Sequence, residues 1–381
     1  KRGAQKEVNY LVKEFECKKS ADAYARATTS KTGVLNTSLL HTYKFNEDLF
    51  KKITVIPDGK NHGLVFILDW SGSMQGVLED TLKQLYNLIW FCKKVNIPFE
   101  VYAFTFNYPV WDENGVRHSV YEKKEGALQI CDNFSLMQFF TSNTNSKNLE
   151  EQMINIYRIA CALRSYTQYR VPLGLDLSGT PLNDTIMALH QILPRFKEEH
   201  KLQKVQCVIL TDGEAGQLTY HKEVQRHWED SPYLGCGYIH RNAVLRDRKL
   251  GTTYSFNVDG WAQITDQLLR NLKDRFTDMN LIGIRILPNR EANSFIRRYH
   301  FTEDQEFDRI TKSWKKDKAF SIKNSGYHTY FGLSSTTLSN DDEFQVQTDA
   351  TKAQIKRAFA KSLKSKKMNK KILSEFVELV C

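Results

Sequence analysis

Two short apolar runs, each ending in an aspartate, limit what this chain can fold into. GLVFIL leads into Asp69, and KVQCVILT leads into Asp212. GLVFIL is continuously apolar over about the length of one strand, as expected for a strand buried on both faces, and KVQCVILT is a second, mainly apolar strand. After the first run, Val77, Leu78, Leu82, Leu85, Leu88, Ile89 and Cys92 recur at helical intervals, and Pro98 breaks into FEVYAFTF, a second strand. Strand, helix and strand of these lengths make one parallel crossover unit. The fold expected is a doubly wound, mainly parallel α/β sheet with helices on both faces.

Around this scaffold the chain divides into three parts. Residues 1–62 are a polar N-terminal extension with a helical look in VNYLVKEFECKKSADAYARAT and a β-like FKKITVIP. Residues 63–348 are the α/β domain, and its loop-rich stretch at about 107–176 reads as a long insertion holding one helix, NLEEQMINIYRIACALRSY. GTPLNDTIMALHQILPRF is a helix opened by Thr180, with Pro181 at the first helical position. WAQITDQLLRNLKDRF reads as another helix and LIGIRILP as another strand. Residues 349–381 form a basic helical tail with Ile355, Phe359 and Leu363 on one stripe.

Composition narrows the function classes. With 41% hydrophobic and 26% charged residues in 381, the chain is an ordinary globular protein, and no apolar run is long enough for a membrane span. The opening KRGAQKEVNYLVKEF has no signal-peptide apolar core. The net charge of +10 is concentrated: Lys352, Lys356, Arg357, Lys361, Lys364, Lys366, Lys367, Lys370 and Lys371 stand together in the tail with no acid among them. A nucleic-acid contact is therefore expected only from the tail, where Phe359 and Phe376 are too few for a stacking platform. Seven scattered cysteines, an odd number without a CxxC pair, argue against a disulfide framework and for a reducing, cytoplasmic setting. His221, His227, Cys236 and His240 have no standard zinc spacing. HExxH, GxSxG and GxxxxGK[ST] are all absent, so no catalytic residue is assigned and the chain does not itself read as an ATPase.

The site lies where the runs end. Binding groups in an open parallel sheet collect beyond the carboxyl ends of the strands, and Asp69 and Asp212 fall there. In DWSGS the side chains Asp69, Ser71 and Ser73 alternate, so a tight loop can turn all of them toward one point, and Gly72 admits close backbone approach. Thr180 lies on a loop that can reach the same crevice. Two carboxylates and three hydroxyls, with no thiolate or imidazole, suit a hard divalent cation, Mg2+ above all, with Mn2+ as the alternative. The bland reading is a strand-to-helix turn in which Asp69 and the serines cap a helix.

DWSGS, the threonine of SGTPL and the aspartate of LTDGE, in that order, resemble the metal-ion-dependent adhesion site of von Willebrand factor A domains. The resemblance covers roughly residues 60–290. It implies that Ser71, Ser73 and Thr180 touch a metal directly, that Asp69 and Asp212 act largely through water, and that a partner's Asp or Glu completes the shell. The flanks, from ADAYARATTSKTGVLNTSLLHTYKFNEDLF to the lysine-rich end, resemble A-domain proteins of large tailed phages. These in turn are similar to the cobaltochelatase subunit and related partners of hexameric MoxR-type AAA+ ATPases. That resemblance implies a metal-dependent adaptor in the cytoplasm, the host cytoplasm if phage-encoded. A structural component of a virion or other assembly and a metal-assisted hydrolase are the alternatives.

Overall fold

The computed structural model describes residues 61–107, 123–164, 171–256, 261–299 and 304–334, apart from 213, 214, 229, 240, 241 and 324, with strands at 28–35 and 50–55 and parts of a helix within 8–19. The basic tail lies outside the described residues.

The strands of the extension, β1 (Thr28–Leu35) and β2 (Phe50–Val55), pair with each other antiparallel. The domain is built on β3 (His62–Asp69), β4 (Phe99–Phe106), β5 (Phe134–Thr141), β6 (Lys204–Thr211), β11 (Met279–Leu287), β12 (Ala319–Ile322) and β13 (Thr329–Ser334), which form one sheet in the order β12-β13-β11-β6-β3-β4-β5. The five inner strands are parallel, and the two edge strands, β5 and β12, run antiparallel to their neighbours. Helices α1 (Leu78–Lys94), α2 (Ser146–Arg164), α3 (Leu182–Glu199), α4 (Trp261–Arg275), α5 (Ala292–Tyr299) and α6 (Asp304–Asp317) cover both faces. The expected doubly wound α/β architecture is the observed one.

The apolar runs explain the layering. Successive side chains of a strand point to opposite faces, so Leu64, Phe66 and Leu68 of β3 pack with α1 and α2, while Val65 and Ile67 pack with α3, α4, α5 and α6. On α1 the helical spacing buries Leu78, Leu82, Leu85, Ile89 and Cys92, while Glu79 and Asp80 in its first turn and Lys93 and Lys94 in its last complement the helix dipole. The N-terminal extension joins this face: Val8 and Phe15 are buried, and Phe15 meets Phe91 of α1 edge-on at 5.5 Å between ring centres.

The segment 107–176 contributes to the scaffold through β5, which completes one sheet edge, and α2, whose Leu149, Met153 and Ala160 are buried on the α1 face. A second elaboration lies between β6 and α4. There the hairpin of β7 (Thr219–Val224) with β8 (Tyr233–Tyr238) and that of β9 (Val244–Arg246) with β10 (Thr253–Ser255) stand apart from the main sheet. Pro181 caps α3 at φ −78° and ψ 57°, one residue before the helix proper, where the sequence places it at the first helical position. Helix boundaries shift by this much with the definition used.

Phe66 is fully buried at the centre of the sheet. Phe66→Ala is expected to lower unfolding free energy by about 3–5 kcal/mol, measured by urea denaturation, with an unchanged denaturant slope.

Candidate metal centre

The chain leaves β3 for β4 on one side and returns through β6 on the other, so strand order reverses between β3 and β6. The carboxyl ends of these two strands bound the crevice where α/β sheets bind ligands. Asp69 is the last residue of β3, and Asp212 follows the last residue of β6. Pairing of Leu68 with Leu210 sets Asp69 beside Thr211.

Three loops meet here and are bonded to one another. Trp70 anchors the first: it is fully buried, its amide bonds to the Phe104 carbonyl at 2.9 Å, its indole Nε1 donates to the Leu175 carbonyl at 2.9 Å, and its ring meets Phe139 edge-on. Past that anchor, Ser71 precedes a 3-10 turn, Gly72–Gly76, and forms a parallel bridge with Ser178. The Gly72 amide donates to the Ser178 carbonyl at 2.8 Å, which straps the first loop to the second two residues before Thr180. A Cβ on Gly72 would sit 3.8 Å from that carbonyl, an ordinary contact, so the strap itself leaves room for a side chain. The Thr180 carbonyl in turn accepts from Leu182 at the head of α3 and from Gly216, on the loop after Asp212, at 3.4 Å.

The side chains close the same circuit. The Ser71 and Ser73 hydroxyls lie 3.1 Å apart, and Ser73 Oγ donates to Asp212 Oδ1 at 2.8 Å. Thr211 Oγ1 donates to Asp69 Oδ2 at 2.6 Å, while Asp69 Oδ1 is buried without a hydrogen-bond partner. Ser71, Ser73 and Asp212 are thus joined directly and Asp69 through Thr211. Thr180 is joined through its backbone, and its half-buried hydroxyl makes no hydrogen bond among the described residues. Trp70 reads from sequence as a rim or packing residue, which its full burial bears out; sequence reasoning missed Thr211. Thr211 had a readable sign, a hydroxyl directly before the strand-ending aspartate.

Both carboxylates are held above their usual range. Burial pushes Asp69 up to about 7; Thr211 and Ser71 pull it back and the charge of Asp212 pushes it further up. Burial also raises Asp212, against the Ser73 hydrogen bond and the charge of Arg285. Crowded, buried carboxylates that resist ionisation are what a bound cation would relieve. The unpartnered Asp69 oxygen and the all-oxygen donor set fit a hard divalent ion.

Other candidates do not assemble. His221 and Cys236 face each other across β7 and β8, but Cys236 Sγ contacts Gln129 Oε1, and His227 packs on Trp228; His240 lies outside the described residues. Among the described residues no three His, Cys, Asp or Glu side chains form a metal cluster. His190, the histidine nearest in sequence to Thr180, sits within α3 beside Phe276, with burial pushing its imidazole down to about 4. No helix among the described residues is long and apolar enough to cross a membrane.

No protein-family model and no curated protein sequence matches the chain. Among solved structures it is similar to the pilus adhesin SpaC from Lactobacillus rhamnosus GG, at 13% identity and a TM-score of 0.29. The match covers 60% of this chain and 25% of the adhesin, so the chain spans about a quarter of that protein's length. Likeness at this level carries no argument about function.

The Asp69 shift has a pH signature. An unfolded chain ionises this aspartate near 3.8, whereas the folded protein holds its proton to about 7. Between those values the folded state binds the extra proton, so stability falls as pH rises through the window and levels off above it. In EDTA the loss is expected to be on the order of 4 kcal/mol, at about 1.4 kcal/mol per pH unit. Asp266, raised to about 6 by burial, adds to the same trend. Thermal melts of wild type and Asp69→Asn at pH 5 and pH 8 isolate the Asp69 part, which the variant lacks; equal slopes for the two proteins would contradict the assignment.

Proposed function

We propose that the chain is a metal-dependent protein-binding adaptor in the cytoplasm. Its Mg2+ site would be held by Ser71, Ser73 and Thr180, with Asp69 and Asp212 balancing the charge. The observation that carries this reading is the closure of three sequence-distant loops on one point, through Gly72 to Ser178, Gly216 to Thr180 and Ser73 to Asp212. A helix cap alone would not call for it: Ser71 makes no side-chain cap bond to the turn it precedes.

Each residue has a task. Trp70 and the Gly72 strap fix the backbone so that the Ser71 and Ser73 oxygens stay close together. Thr211 orients the Asp69 carboxylate and leaves its other oxygen without a hydrogen-bond partner. When bound, Mg2+ supplies a coordination position that an acidic side chain of a partner can fill, a charge-assisted contact that depends on the ion. The resemblance to von Willebrand factor A proteins that serve MoxR-type AAA+ ATPases supports such an ATPase ring as the partner, with this chain linking motor and client. Among the described residues the hydrolase alternative has no histidine base at the serines: their hydroxyls bond each other and Asp212, and His190 lies in α3 against Phe276.

Affinity capture from the native source with Mg2+, and again with EDTA, is the test. A partner retained only with Mg2+, and bound at least about tenfold more weakly by Thr180→Ala, is the expected result. Equal capture in EDTA, or by Asp69→Ala with EDTA present, would remove the metal bridge. Identification of the captured protein by mass spectrometry tests the ATPase assignment separately.

A further inference from the structure

The elaboration between β6 and α4 holds most of the large apolar surface left open among the described residues. Of eight exposed large hydrophobic side chains, six stand on or beside its two hairpins: Trp228, Tyr233, Leu234, Tyr238, Val244 and Leu250. Trp228 is 64% exposed and Tyr238 56%. Exposed apolar side chains gathered in one region mark a contact surface. On the first hairpin, Tyr220, Lys222 and Val224 of β7 share one face with Gly237, Gly235 and Tyr233 of β8. A Cβ at Gly237 would stand 2.6 Å from the Tyr220 ring, and one at Gly235 would stand 2.9 Å from Val224 Cγ2 and 3.4 Å from the Tyr233 ring. Glycine weakens a strand, and here it lets the rings lie close over the backbone. In the connection between β7 and β8, the Arg226 guanidinium is 5.5 Å from the centre of the Trp228 ring and 5.7 Å from that of Tyr233.

The surface of the same elaboration is basic. Among the exposed described residues of the two hairpins, Lys222, Arg226, Arg246, Arg248 and Lys249 stand against two acids, Glu223 and Asp230. A third acid, Asp247, is buried and engaged internally, by the Lys249 and Leu250 amides, by Asn271 and by Arg275 at 3.6 Å. Exposed rings interleaved with basic side chains suit one class of ligand. Unpaired bases stack on aromatic rings whatever their sequence, while arginine and lysine meet the phosphates. We infer that the β7–β8 hairpin binds single-stranded nucleic acid, with bases stacked on Trp228 and Tyr233 and backbone phosphates held by Arg226 and Lys222. The rings keep the planar Arg226 donor fork in place for a phosphate, and Arg246, Arg248 and Lys249 add positive charge from the second hairpin. An acidic protein surface would use these charges but has no need of the rings. The basic tail, with its two phenylalanines, offers charge without a stacking platform, so contact with bases falls to the hairpin. This inference does not rest on the metal site.

Fluorescence anisotropy of the full chain in EDTA tests it, with a labelled oligothymidylate of about 12 nucleotides and an abasic strand of the same length as probes. Wild type is expected to bind the oligothymidylate at least about fivefold more tightly than the abasic strand. Trp228→Ala and Tyr233→Ala, both at exposed positions, are expected to melt like wild type and to lose most of that preference, whereas Trp228→Phe, which keeps a ring, retains it. Arg226→Gln is expected to make the salt dependence of binding shallower by about 0.7 in the log–log slope, the loss of one phosphate contact; an unchanged slope overturns the phosphate role of Arg226. Contact through the lysine tail alone would hold both strands alike. Equal affinity for the two strands, no binding of either at low ionic strength, or a preference that survives in the Trp228→Ala/Tyr233→Ala double variant overturns the inference.

Discussion

A carboxylate buried at the end of an apolar strand is the constraint around which the rest of this structure is arranged. Asp69 has no solvent exposure, a second carboxylate acts on it from the next loop, and only one of its oxygens is hydrogen-bonded. Burial of an ionised group without compensation is costly, and the surroundings compensate only in part. Thr211 reaches across from β6, Ser71 lies close by, and Trp70 seals the backbone behind them against Phe104, Leu175 and Phe139. The proposed role of a bound cation is to supply the positive charge that these hydroxyls do not.

The topology makes the arrangement reachable. Parallel strands deliver all their carboxyl ends to one side, and reversal of strand order between β3 and β6 opens the gap into which three loops fold. Apolar side chains on both faces of β3 and β6 hold these ends in fixed register, and the Trp70 anchor and the Gly72 strap carry that order into the loop that bears Ser73. Arg285, whose charge acts on Asp212, is paired with Thr211 one strand further along. Fold and site are therefore one argument: the continuous apolar runs that demand a buried parallel sheet also decide where the oxygens end up.

The legible parts of the sequence were those whose signal is local. GLVFIL read as a buried strand because it is apolar throughout, KVQCVILT because its short, mainly apolar run is too brief for a helix, and α1 and α4 read from helical spacing. The candidate oxygens read from their place after those strands. What stayed hidden depends on pairing across the chain. β5, FSLMQFFT, is an antiparallel edge strand with only Phe139 and Phe140 well buried, so its run carried no clear period and its segment looked like an insertion. YLGCGY in β8 has two glycines, a composition poor in strand propensity, and owes its strand to β7 beside it. Near the end of the domain, β12 is only AFSI and pairs antiparallel with β13, while α5 is a helix of eight residues; both are too short for a period to show. Arg285 could not be placed near Asp212 from sequence, since that relation exists only through the register of β6 and β11.

The central claim is that Ser71, Ser73 and Thr180, with Asp69 and Asp212 behind them, surround one divalent cation. Its most direct test is anomalous diffraction from crystals soaked in MnCl2, with Mn2+ standing in for Mg2+ among the same oxygen donors. The account predicts one dominant peak in the crevice between the carboxyl ends of β3 and β6, within coordination distance of the Ser71 and Ser73 hydroxyls. A difference map without a peak there, or with its strongest peak at another surface, would contradict it.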